Sequence, residues 1–95
     1  MAAVLVIAKL TFTDVARYRQ YQQAFPAAFA GSGGEILAAD EAPETLSGDH
    51  ADKVVVMRFP SAAAAHTFLN SDAYRQISID RDAGALTHSW LVKSF

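Results

Sequence analysis

Residues 52–61 read DKVVVMRFPS, and the fold is decided by how this stretch is read. Val54, Val55, Val56 and Met57 form an unbroken apolar run rich in β-branched side chains, the pattern of a strand covered on both faces. Such a strand belongs in the middle of a sheet. Pro60 stops the ladder and Ser61 can cap a following helix, so one element ends and the next begins within two residues.

Upstream, residues 3–12 form a first strand. Val4, Val6, Ala8, Leu10 and Phe12 make an apolar face that should pack on helices, while Leu5, Ile7, Lys9 and Thr11 make a mixed face. The mixed face looks at something partly wet, and a ligand cavity would be sought there. Asp14 is a good N-cap for a helix over about 14–30, with Val15, Tyr18, Phe25 and Phe29 near one stripe. Pro26 removes a backbone donor and predicts a kink or change of register; Gly31 supplies the C-terminal cap. Residues 35–40 are a short second strand. Residues 44–47 would extend it before Gly48 and Asp49 turn the chain back as a hairpin into the opening stretch.

Downstream, the Ala62–Ala65 run with Phe68 and Leu69 predicts a helix that ends near Asn70. Ser71 and Asp72 start another, which carries Tyr74, Ile77 and Arg81 and is closed by Gly84. In a last strand, residues 86–95, Trp90 and Val92 alternate with Leu91 and Lys93. Right-handed crossovers then place the third strand between the first and second, and the fourth beside the first. The expected fold is α+β: a ferredoxin-like split βαβ arrangement in one domain over 1–95, a four-stranded antiparallel sheet with helices on one face. The other face is apolar in the middle strands, so two sheets are expected to pack across a two-fold axis as a homodimer.

Composition agrees with a partnered domain. A 95-residue chain buries only about 60 to 65% of the surface it exposes when unfolded. Yet 52% of its residues are hydrophobic against 19% charged, more than a small monomer comfortably hides. Eight Lys and Arg against ten Asp and Glu give a net charge of -2 with no basic stripe, which argues against nucleic-acid binding. The absence of Cys removes disulfides, thiolate nucleophiles and thiolate metal sites, and fits a reducing compartment. The apolar run at residues 2–8 has no basic segment before it, is interrupted by Lys9 and is too short to span a bilayer. A soluble cytoplasmic protein is expected, with no membrane partner.

Several segments, taken in order, resemble a bacterial domain-of-unknown-function family, number thirteen-thirty, of the dimeric α/β-barrel superfamily. They are TDVARYRQY, FPAAFAGSGGEIL, APETLSGD, VVVMRFPSAAAAHTFLNSDAYRQI and Arg81 beyond them. The chain carries Val15 and Asp72 where the family often has Pro after the caps, and both are compatible with helix starts. The resemblance implies a homodimeric ferredoxin-like domain with no assigned activity. Relatives in the superfamily include cofactor-independent monooxygenases, isomerases and haem enzymes, so the fold decides among no chemistries.

Arg81 matches a family position and carries a cationic fork suited to a carboxylate or enolate; the plainer alternative is a helix-end salt bridge. Tyr18 and Tyr74 match the family's helix aromatics and would present hydroxyls at a cavity rim, or serve as core with satisfied hydroxyls. Lys9 and Arg58 fall on the mixed faces of the central strands, where they line a pocket between sheet and partner or pair with acids across the dimer. His50, His66 and His88 show no metal spacing, and neither a metal nor a cofactor is expected. The GSGG of residues 31–34 follows a helix and precedes a strand, the reverse of a phosphate loop. No Cys, Ser elbow or paired carboxylates support nucleophilic or glycosidase mechanisms, and no catalytic residue is assigned.

Two functions stay open. One is a small-molecule-binding domain whose pocket lies between sheet and helices, with Arg81 holding an anionic group. Its extension is a cofactor-independent, monooxygenase- or isomerase-like enzyme acting on a small anionic, carbonyl or enolisable compound, with Tyr or His moving a proton. The other is a non-catalytic dimeric interaction module. A cavity of several hundred Å³ with convergent polar groups favours the first, and a filled barrel the second.

Overall fold

The structure, a computed structural model, describes residues 2–95. Its elements are β1 (Val4–Phe12), α1 (Val15–Phe29), β2 (Glu35–Asp40), β3 (Lys53–Phe59), α2 (Ala62–Leu69), α3 (Asp72–Gly84) and β4 (Ala85–Lys93). The antiparallel sheet has the order β2-β3-β1-β4, the ferredoxin-like arrangement expected from the crossovers. All three helices begin at the side chains that the sequence nominates. Asp14 accepts from the Arg17 N–H, Ser61 from Ala64 and Ser71 from Tyr74.

Register divides the sheet into two unlike faces. Val6, Leu10, Met57 and Phe59 are buried against the helices, and Phe59, fully enclosed, meets Phe29 and Phe68. On the opposite face Ile7 lies between Val56 and Trp90, and Leu5 between Arg58 and Val92. None of the described residues packs over that face, and Trp90 is 53% exposed on it.

Three details differ from the sequence reading. β2 and β3 are antiparallel neighbours, but residues 41–52 join them as a long loop, not a short hairpin. Asp40 Oδ1 takes the Ala42 amide at 2.8 Å and Pro43 has no amide to give, so β2 cannot continue. The loop is pinned at its far end, where Asp52 donates its N–H to Leu10 and accepts from the Phe12 N–H. Val15 is 45% exposed in the first turn of α1; Tyr21, three residues after Tyr18, holds the buried stripe instead. Finally, Gly84 ends α3 without the left-handed backbone of a glycine cap, which here belongs to Gly31 at φ 77° after α1. α1 itself runs on through Pro26, which falls in its last turns.

Candidate functional site

A cavity of about 270 Å³ lies between the helix-facing side of the sheet and the helices. Its walls are apolar: Val6, Leu10, Val55 and Met57 from the sheet, with Phe25 and Leu69 from the helices. Into this lining project Lys53, Arg81, Tyr18, Tyr21 and Tyr74, which α1, α3 and β3 bring together from distant parts of the sequence. The described lining residues include two cations and no carboxylate.

The tyrosine side of the cavity is a continuous hydrogen-bonded chain. Arg81 Nη1 donates to Tyr74 Oη at 2.9 Å, and the Tyr74 and Tyr21 hydroxyls are 3.0 Å apart. The guanidinium also lies 5.8 Å from the Tyr74 ring centroid. Its Nε and Nη2 are turned to Asp82 Oδ1 at 3.1 and 3.0 Å. Arg81 thus makes the helix-end salt bridge, and it also lines the cavity. Tyr74 is likewise a buried core residue that lines the cavity. Burial, then the neighbouring Tyr74, pushes the Tyr21 phenol well above its ordinary range, so it stays protonated.

Lys53 is the second cation. Its side chain is 6% exposed, its Nζ lies 5.0 Å from the Tyr18 ring centroid, and Glu41 Oε2 accepts from it at 3.4 Å. Glu41 is also gripped by both terminal nitrogens of Arg19. That grip is the main reason its carboxyl is held down from 4.5 to about 2. The folded value lies below the unfolded one, so the pairing stabilises the fold above about pH 4.5 and the contribution fades as pH falls towards 2. Glu41 is 36% exposed, and water screens much of it. Glu41→Gln is therefore expected to cost no more than about 1 kcal/mol at neutral pH. In thermal melts the gap between parent and variant should close as pH drops through that window; a constant gap down to pH 2 would refute the pairing as its source.

Of the residues singled out from sequence, Arg81, Tyr18 and Tyr74 line the cavity, and Lys9 and Arg58 do not. The last two sit on the opposite face, because Lys9 pairs in register with Val54 and His88, and Arg58 with Leu5 and Glu35. Arg58 reaches Glu35 at 3.5 Å. The cavity expected against the mixed face is therefore on the other side of the sheet. None of the three histidines lines it, so of the Tyr and His side chains expected to move a proton only tyrosines are there. Among the described residues no group of three His, Cys, Asp or Glu could hold a metal ion, and no helix is long and apolar enough to cross a membrane.

Lys53 and Tyr21 were missed, and each had a signal. Counting back by twos from Phe59 through Met57 and Val55 lands on Lys53, on the core side of the strand. Tyr21 falls between Tyr18 and Phe25 at spacings of three and four, the rhythm of the buried stripe.

The model of the family described as Domain of unknown function (DUF1330) matches residues 3–95. No curated protein matches the chain. Among solved structures, a protein of unknown function from Rhodopseudomonas palustris aligns with a TM-score of 0.85 at 18% identity, over 99% of this chain and 83% of that one. SnoaB, a cofactor-independent oxygenase from Streptomyces nogalater, aligns with a TM-score of 0.72 at 14% identity, over 100% and 95%. A dimeric ferredoxin-like protein of unknown function from Thermobifida fusca aligns with a TM-score of 0.70 at 13% identity, over 98% and 92%. At these identities the likeness is one of fold.

Proposed function

The chain belongs to the DUF1330 family, and from that premise we propose that it is a homodimeric small-molecule-binding domain whose cavity accepts a small anionic or carbonyl compound. The observation that supports this reading is an apolar cavity lined by two cations and three tyrosines, with no carboxylate among its described residues. An apolar wall with a few convergent polar groups is the usual makeup of a ligand site. The homodimer is supported by the uncovered apolar sheet face and by the dimeric fold neighbour. A cofactor-independent oxygenase stands among the fold neighbours, and oxygen consumption is therefore one activity to assay with any ligand found.

The test is a thermal-shift screen of small organic acids, phenols and quinones, repeated on Arg81→Ala. A ligand at 100 times its dissociation constant adds about 2.7 kcal/mol to native-state stability, a clear shift in so small a domain. Anionic ligands should raise the midpoint of the parent and lose most of that effect in the variant, and turnover assays follow from any hit. No shift across the panel would move the domain to the interaction-module reading.

A further inference from the structure

Building on the cavity as an anion-accepting site, we propose that Tyr21 is the residue that donates to the ligand, and that the ligand offers it a single phenolate or enolate oxygen. The argument is a count of protons. Two phenolic protons and one guanidinium N–H meet at the Tyr21, Tyr74, Arg81 corner. A guanidinium only donates, so the Tyr74 oxygen accepts from Arg81. The two tyrosines share one hydrogen bond, which uses one of their two protons. The other has no acceptor among the described residues. Because the Tyr74 oxygen already accepts from Arg81, the favoured sense has Tyr74 donating to Tyr21. The proton left over is then that of Tyr21, which lines the cavity.

A second group lacks a match on the sheet side of the same cavity. Thr87 Oγ1 is buried in the cavity lining and is without a hydrogen-bond partner among the described residues. Buried polar groups are normally paired, so the spare Tyr21 proton in the cavity points to a ligand that supplies lone pairs, with the unmatched Thr87 hydroxyl in the adjoining wall. The Arg81 edge that would grip a carboxylate by two prongs is taken by Asp82. What remains is one phenolic donor, suited to one oxygen on a planar compound between apolar walls. Arg81 acts through Tyr74 as a positioning residue: its charge polarises the Tyr74 hydroxyl, which strengthens Tyr21 as donor in turn. Burial keeps the Tyr21 phenol protonated, so it gives a hydrogen bond and does not remove a proton.

The experiment uses 4-nitrophenol, whose phenol and phenolate differ in colour, beside nitrobenzene, which keeps the ring and lacks the hydroxyl. Bound 4-nitrophenol should ionise at a lower pH than the free compound, by roughly one unit for a tenfold preference for the anion. Tyr21→Phe should lose most of that shift while nitrobenzene binds as before, and Tyr74→Phe, which cuts Tyr21 from Arg81, should lose part of it. If 4-nitrophenol binds the parent with its ionisation unchanged or raised, the proposal is wrong. It is equally wrong if Tyr21→Phe keeps the whole shift. If neither compound binds, the cavity reading beneath it fails first.

Discussion

Gly84→Ala is expected to lower the melting temperature by roughly 12 to 24 °C, at 4–8 °C per kcal/mol for a domain of this size and a cost of about 3 kcal/mol. Gly84 lies where α3 crosses the start of α1. A Cβ there would fall within 2.9 Å of the Tyr18 backbone N and Cα and of the Asp14 carbonyl oxygen. All three obstacles are backbone, so no rotamer change relieves the clash. The site is also tied from both sides, because the Gly84 carbonyl accepts from Thr13 and Asp14 N–H groups at 2.9 and 3.1 Å. The helices must part, and Arg81, one turn earlier, would move with α3 away from the α1 tyrosines. The variant should therefore also bind 4-nitrophenol more weakly. Gly31→Ala is the comparison: at φ 77° with open space around it, it should cost only about 1–2 kcal/mol. Equal melting temperatures for Gly84→Ala and the parent, at matched protein concentration, would show that the crossing is looser than drawn.

The contrast between these two glycines shows which parts of the molecule were legible in the chain. Gly31 was readable because a glycine after a helical stripe has a local cause. Gly84 looked like the same punctuation, but its reason lies in the backbone of Tyr18, far away in sequence. The strands and caps were legible for the same local reason: β-branched runs, a Pro stop and Asp or Ser caps act over a few residues, and crossover handedness then ordered the sheet. The cavity was half legible. Arg81, Tyr18 and Tyr74 were found, but placing Lys9 and Arg58 beside them required knowing which face the cavity opens on. A period of two separates the faces without saying which is hollow. Lys53 was hidden because a lysine at the end of an apolar run reads as a solvent flank, whereas Glu41 and the face of Tyr18 give it a buried place. The hairpin was overread because nothing local in residues 44–47 reveals that Asp52 is held on β1.

Val56→Lys is expected to convert a dimer into single chains. Across the uncovered face, register aligns Ala38, Val56, Ile7 and Trp90 in one row, a central line of apolar side chains. Two such faces packed about 10 Å apart would interdigitate along this row. A lysine in its middle would bring an ammonium into that layer between the two cations already on the face, Lys9 and Arg58; of the acids in β2, Glu35 is engaged by Arg58 and Asp40 stands at the edge of the sheet in register with Val54. An unpaired charge buried in this way costs about 3 kcal/mol or more, which raises the dissociation constant at least 100-fold. In sedimentation at micromolar concentration the parent should run at twice the chain mass and Val56→Lys at the chain mass. Leu46→Lys, on the exposed 41–52 loop, should leave the parent behaviour intact. A parent that runs as one chain would remove the dimer from the proposed function, and a Val56→Lys variant as tight as the parent would place the interface elsewhere. The cavity lies on the helix side of the sheet, away from the Val56 row. The separated chains should therefore still bind 4-nitrophenol one to one, with their loss confined to melting temperature.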